Sequence, residues 1–288
     1  MRDTLKLMVG VFKLRIGFAI MLSALAGLAI TPGPGPQPWQ VAVLALAVLL
    51  SSASAGAFNQ YAERELDARM QRTCTRPFVT GRFQANAVWL IAIWGLLLVA
   101  VAGAAFLVNP ATAFYVFLGA MVYGVVYTIW LKRRTWLNIV VGGLAGSFAV
   151  LAGGAAVQPG LAPEPIILAV VLFLWTPPHF WSLAFVFQKD YASANVPMLP
   201  SVLGEVVAAR VILAHTVALV ALSLVPVAYG LGWIYLVGAA TGGAYFILTS
   251  VRLVRDPGPA AAMANFHASL VQLSLLLLAV MLDAWVYG

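Results

Sequence analysis

Long apolar runs alternate with short polar stretches along the whole of this 288-residue chain. Each run is close to the ~20 residues that an α-helix needs to cross a bilayer's hydrocarbon core. Nine spans are predicted, at 14–32, 38–58, 87–107, 111–130, 137–157, 165–187, 209–230, 233–251 and 266–286. No polar stretch between them is long enough for a soluble domain. The expectation is therefore one domain over 1–288, an all-α polytopic membrane protein with nine transmembrane helices in one bundle. A content of 63% hydrophobic and 9% charged residues excludes an ordinary soluble fold.

Charge adds an orientation to that pattern. The net charge of +7 could suggest nucleic acid, but the sixteen basic residues are not spread as a patch. Arg2, Lys6, Lys13 and Arg15 precede span 1; Arg64, Arg69, Arg72, Arg76 and Arg82 lie between spans 2 and 3. Lys132, Arg133 and Arg134 lie between 4 and 5, Lys189 and Arg210 flank the 6–7 loop, and Arg252 and Arg255 sit between 8 and 9. All fall on one side of the predicted membrane, which is the cytoplasmic side by the positive-inside rule. The amino terminus is expected inside, the carboxyl terminus outside, and the bilayer rather than nucleic acid is the expected partner. The single cysteine, Cys74, excludes an internal disulfide and reads as an incidental loop residue.

Candidate chemistry concentrates in Asn59–Pro77, NQYAERELDARMQRTCTRP, which holds three of the nine carboxylates. Asn59, Glu63 and Asp67 stand four apart, and a step of four turns only ~40° on a helix, so all three oxygen-bearing side chains share one face. Arg64, Glu65 and Arg69 point elsewhere. Clustered hard oxygen ligands suit Mg²⁺ together with a substrate's phosphates, and Arg72 and Arg76 offer guanidinium groups for phosphate oxygens. The competing account is a solvated loop beside a span.

Two later stretches carry comparable content. Tyr123 and Tyr127 lie one helical turn apart ahead of Lys132-Arg133-Arg134, which reads equally as positive-inside anchoring. Span 6 contains Trp175-Thr176-Pro177-Pro178-His179-Phe180-Trp181. Two mid-span prolines are expected to break or kink the helix. His179, near mid-membrane, is either a functional group or an imidazole bonded to the freed carbonyls. Asp190 follows His179 by eleven residues, and a continuous helix would return it to the same face. His215 and His267 read as packing or interfacial groups, and Asp283 as solvated near the outer end.

The letters are more specific than the spacing. N-x-x-x-E-x-x-x-D-x-x-M-x-R-T-x-x-R-P resembles the first Asp-rich motif of the UbiA-type intramembrane prenyltransferases, and within them the haem O synthases (protohaem IX farnesyltransferases). Y-T-x-W-L-K-R-R-T-x-x-N-I-V-x-G-G, W-T-P-P-H-F-W and Lys189-Asp190-Tyr191 running to Pro200 resemble later blocks of the same group. Phe12-Lys13-Leu14-Arg15-Ile16 resembles its Lys-Pro-Arg-Ile opening, which favours a retained span 1 over a cleaved leader ending near Ala24-Leu25-Ala26. The chain departs from the pattern at Leu14 (usually proline), at Asn195 (usually glycine) and after Gly146, where a Pro-Pro pair is usual.

The resemblance implies transfer of a farnesyl group from farnesyl diphosphate to a vinyl group of haem B, with addition of water. It implies Mg²⁺ held by Asn59, Glu63, Asp67 and Asp190, with diphosphate or haem propionates on Arg72, Arg76, Lys132, Arg133 and Lys189. Tyr123, Tyr127, Trp175, Phe180 and Trp181 are the expected pocket aromatics, and His179 the residue for haem contact or water placement. The expected setting is a bacterial inner membrane, with downstream haem-modifying or oxidase-assembly proteins as further partners. An aromatic quinone precursor is the alternative acceptor, and a cation or proton-coupled transporter the alternative class.

Overall fold

Asparagine opens two of the long helices. Asn86 Oδ1 accepts the backbone N–H groups of Val88 and Trp89, and Asn109 Oδ1 accepts that of Thr112, with Pro110 at the first helical position. Both caps satisfy orphan donors at points where the chain enters an apolar run. The computed structural model describes residues 2–287; Met1, Gly288 and the side chains of Arg2 and Asp3 lie outside the description.

In chain order the helices are α1 (Arg2–Val11), α2 (Leu14–Ile30), α3 (Pro38–Ala62), α4 (Arg64–Asp67), α5 (Ala87–Leu107) and α6 (Pro110–Met121), which continues as a π-helix over Val122–Leu131. Then come α7 (Asn138–Val157), α8 (Pro163–Val186), α9 (Gln188–Ser193), α10 (Leu199–Leu203), α11 (Glu205–Ser223), α12 (Trp233–Arg255) and α13 (Pro259–Tyr287). Among the described residues eight helices are long and apolar enough to span a membrane, and a ninth is counted if α1 and α2, bent by 45°, form one span. This is a multi-pass, all-helical membrane protein. The outward-facing side chains agree, since Val88, Ile91, Leu98 and Phe106 of α5 are 69–87% exposed without lipid.

Span boundaries differ from the prediction chiefly in α13, which begins at Pro259 rather than 266. Ala260-Ala261-Ala262 adds little hydropathy but favours helix strongly. A larger correction concerns α8. It runs unbroken through Pro177 and Pro178, and the hydroxyls of Thr176 and Ser182 donate to the Leu172 and Pro178 carbonyls beside the interruption.

Helices approach where side chains vanish. A Cβ on Gly153 of α7 would collide with the Ala24 carbonyl of α2, and one on Gly27 of α2 with the Val150 carbonyl of α7. Contact this close is how membrane helices gain packing without a hydrophobic drive between them. Asp283 of α13 corrects the expectation of a solvated residue. It is 4% exposed and its carboxylate accepts the backbone N–H groups of Gly232 and Tyr235. It thereby caps α12, whose own cap residue is a glycine without a side chain.

Candidate active site

The site forms where α3 ends. Glu63 N–H donates to Asn59 O at 3.0 Å and Asp67 N–H to Glu63 O at 2.8 Å, so four-residue bonding carries on across the Ala62–Arg64 joint. Asn59, Glu63 and Asp67 therefore share a face, as the spacing requires, and each is 2% exposed. The side chains of Arg64 and Glu65, 41% and 79% exposed, turn away.

Three cations meet the three oxygen-bearing groups. Lys132 Nζ lies 2.5 Å from Glu63 Oε2, Arg76 Nη1 2.6 Å from Asp67 Oδ2, and Lys13 Nζ 2.6 Å from Asn59 Oδ1 and 2.9 Å from the Tyr123 hydroxyl. Lys13 was not anticipated as a site residue, although its stretch was singled out as a motif. It sits at the break between α1 and α2 in a left-handed conformation, with its stem over Gly56. Burial pushes its ammonium group down to about 7; Arg76 adds to the shift and Glu63 opposes it. Thr128, equally unanticipated, accepts from Asn59 Nδ2 at 3.0 Å and orients that amide.

The π-helix places the second half of this group. Lys132 N–H donates to Tyr127 O and the Thr128 hydroxyl to Tyr123 O, in each case across five residues. In an α-helix five residues turn ~500°, leaving side chains ~140° apart. The wider turn of five-residue bonding brings them toward one face. Lys132 Nζ lies 5.6 Å from the Tyr127 ring centre; Tyr123 and Tyr127, four residues apart, stack at 5.6 Å and 13°.

Asp190 belongs to the same end of the bundle but not to the buried face. α8 stops at Val186 and Asp190 lies on the separate α9, so its relation to His179 through one continuous helix does not hold. Its two oxygens accept the backbone N–H groups of Gln71 and Arg72 at 3.3 and 3.1 Å, and Ser193 Oγ donates to Arg69 O at 2.8 Å. Asp190 is a clasp between two loops, each of its oxygens accepting one backbone N–H and keeping further acceptor capacity. Asn195 in the next turn has φ 53°, a left-handed value. That accounts for the glycine expected there, and asparagine tolerates the same conformation.

Other expected residues divide. The Arg72 guanidinium lies 5.5 Å from the Phe187 ring. Arg133 and Lys189 are exposed and touch none of the buried carboxylates; Arg133 lines a surface cleft of about 220 Å³ with Glu65, Arg69 and Asn195. Trp181 is 1% exposed and packed in the core with Leu66, Met70 and Tyr191. Phe180 is 37% exposed, edge-on to His179. His179 and Trp175 stack at 4.2 Å. His215 bonds Val211 O, a packing role as expected.

Among the described residues no three His, Cys, Asp or Glu side chains form a metal cage. Mg²⁺ commonly uses one or two carboxylates and takes its remaining ligands from water and substrate phosphates. Glu63 Oε1 is buried without a hydrogen-bond partner, which leaves acceptor capacity for a cation. The donor set fits Mg²⁺ with substrate, not a closed protein cage.

The UbiA prenyltransferase family matches residues 20–278. The chain belongs to that family. It is 57% identical to "Protoheme IX farnesyltransferase 2" of Paramagnetospirillum magneticum over 288 residues, all of both chains. In fold this UbiA-family chain is similar to a digeranylgeranylglyceryl phosphate synthase, with a TM-score of 0.80 at 18% identity over 98% of this chain and 99% of the other. It is also similar to a UbiA homologue from Archaeoglobus fulgidus bound to GPP and Mg²⁺, with a TM-score of 0.69 at 15% identity over 96% and 99%. At such identities the likeness is one of fold.

Proposed function

We propose that this UbiA-family chain transfers the farnesyl group of farnesyl diphosphate to a vinyl group of haem B, with addition of water, releasing haem O and diphosphate. The assignment is carried by the buried Asn59–Glu63–Asp67 face with Lys13, Arg76 and Lys132 against it. The full-length relative named above supports the acceptor.

Asn59, Glu63 and Asp67 would hold Mg²⁺. Bound there, it would supply positive charge to the departing diphosphate. Lys13, Arg76 and Lys132 donate to phosphate oxygens, preorganised in a site sealed from bulk water, where such donors act most strongly. Asp190 holds the Gln71–Arg72 turn against the group, and Arg72 then faces substrate from that turn. Arg133 and Lys189, which point outward, are assigned to the haem propionates.

The C1–O bond of the isoprenoid breaks as charge passes to diphosphate. The stacked faces of Tyr123 and Tyr127 stabilise the allylic cation. The vinyl π-electrons form the new C–C bond, and water captures the resulting cation with loss of one proton. Trp175, Phe180 and His179 contact the porphyrin. The chain acts as one domain in a bacterial inner membrane, with the basic end in the cytosol and haem passing on to later haem-modifying or oxidase-assembly proteins.

The test is purified protein in detergent with farnesyl diphosphate, haem B and Mg²⁺. Haem O and diphosphate are expected in equal amounts, with loss of both on chelation. Prenylation of 4-hydroxybenzoate in place of haem B would overturn the acceptor, and absence of diphosphate release would overturn the reaction class.

A further inference from the structure

His179 of α8 is enclosed on both ring faces. Trp175 stacks on one at 4.2 Å and 19°, and Phe266 of α13 on the other at 4.5 Å and 27°. Among the described residues the ring's one hydrogen-bonding neighbour is a hydroxyl that also reaches a backbone carbonyl. Ser269 Oγ donates its only proton to Phe266 O at 2.6 Å. Its lone pairs remain, and Nδ1 of His179 lies 2.7 Å away. With the hydroxyl proton on Phe266 O, Nδ1 is the donor and the unprotonated lone pair falls on Nε2; this is the tautomer on which the inference is built. Ser269 also holds the covering indole, because Trp175 Nε1 donates to Ser269 O at 2.9 Å.

Nothing among the described residues hydrogen-bonds Nε2. The buried polar atoms left without partners include Trp181 Nε1 and the Gln272 amide but not this nitrogen, so Nε2 is not sealed in protein. A neutral imidazole that donates one N–H to a protein oxygen and presents the other nitrogen bare is the arrangement of a metal-bound histidine. Haem iron takes such a nitrogen as an axial ligand. Trp175 and Phe266, within 19° and 27° of the imidazole plane, brace the ring, while Phe180, at 85° to it, lies in the orientation of a macrocycle bound at Nε2.

We infer that His179 Nε2 ligates the iron of the haem substrate and that Ser269 is the positioning residue that fixes its tautomer. The inference rests on haem B being the acceptor. One axial bond at the centre of the macrocycle sets its depth and tilt, and so determines which edge meets the isoprenoid.

Detergent-purified protein is titrated with ferric haem B and, separately, with metal-free protoporphyrin IX, which has the same periphery and no iron. For His179→Ala, haem B affinity is expected to fall about tenfold or more with loss of the histidine-ligated absorption spectrum, while protoporphyrin IX binding is retained. For Ser269→Ala, haem is expected to bind, but the iron–histidine stretch of the ferrous form moves to lower frequency by resonance Raman; Ser269→Thr restores it. Equal loss of both porphyrins in His179→Ala, or a wild-type axial spectrum in that variant, would overturn the ligation. An unmoved stretch in Ser269→Ala would overturn the positioning role. Wild-type protein that makes haem O without a histidine-ligated spectrum sinks the inference alone, whereas wild-type protein that binds neither porphyrin sinks the haem reading with it.

Discussion

Lys132 and Glu63 form a buried pair, with side chains 11% and 3% exposed. Taking two charges out of water is costly, and removing one partner leaves the other buried and uncompensated. Lys132→Met is therefore expected to lose ~3–5 kcal/mol of stability, read as a lower thermal midpoint in detergent. Adding Glu63→Gln should recover the midpoint but not haem O formation. Lys13 contacts an amide and a phenol instead of a carboxylate, so its charge has no compensating anion in direct contact. For Lys13→Met we expect KM for farnesyl diphosphate to rise about tenfold, a loss of ~1.4 kcal/mol of binding, with KM for haem B unchanged. An equal rise in both would assign Lys13 to general packing.

The element that most shapes the site is the Val122–Leu131 π-helix. Deleting one residue there, for example Val126, restores four-residue bonding and rotates Lys132 away from Glu63. The variant is expected to insert and remain helical while losing haem O formation. Full activity in a folded deletion variant would show that register at this helix is dispensable. Nothing in the letters VYGVVYTIWL announces five-residue bonding, so α spacing was the only prediction available. The α8 prolines carry the converse lesson. Proline chemistry argued for a break or a kink, and of these the break does not occur, because a membrane helix tolerates proline where its surroundings are protein.

At the scale of the molecule, Cys74 is exposed in the loop that packs over the acid face, and it is the chain's only cysteine. With the basic end cytosolic, a membrane-impermeant maleimide should leave intact cells unlabelled and label inverted vesicles fully. Labelling in intact cells would reverse the proposed orientation. The long apolar spans were legible, and their number to within the bent α1–α2 pair, because hydropathy and helix length are local quantities. So was the shared face of Asn59, Glu63 and Asp67, because four-residue spacing fixes it on any helix. Other placements depended on contacts distant in sequence. Lys13 reaches Asn59 across 46 residues, Asp190 engages Arg72 across 118, and Ser269 meets His179 across 90. The sequence alone therefore determined which chemistry this protein carries and at which end of the membrane bundle it lies. Only the tertiary structure decided which cation meets which carboxylate and which side chain faces Nδ1 of His179, because those depend on how separate helices pack and not on the spacing within any one of them.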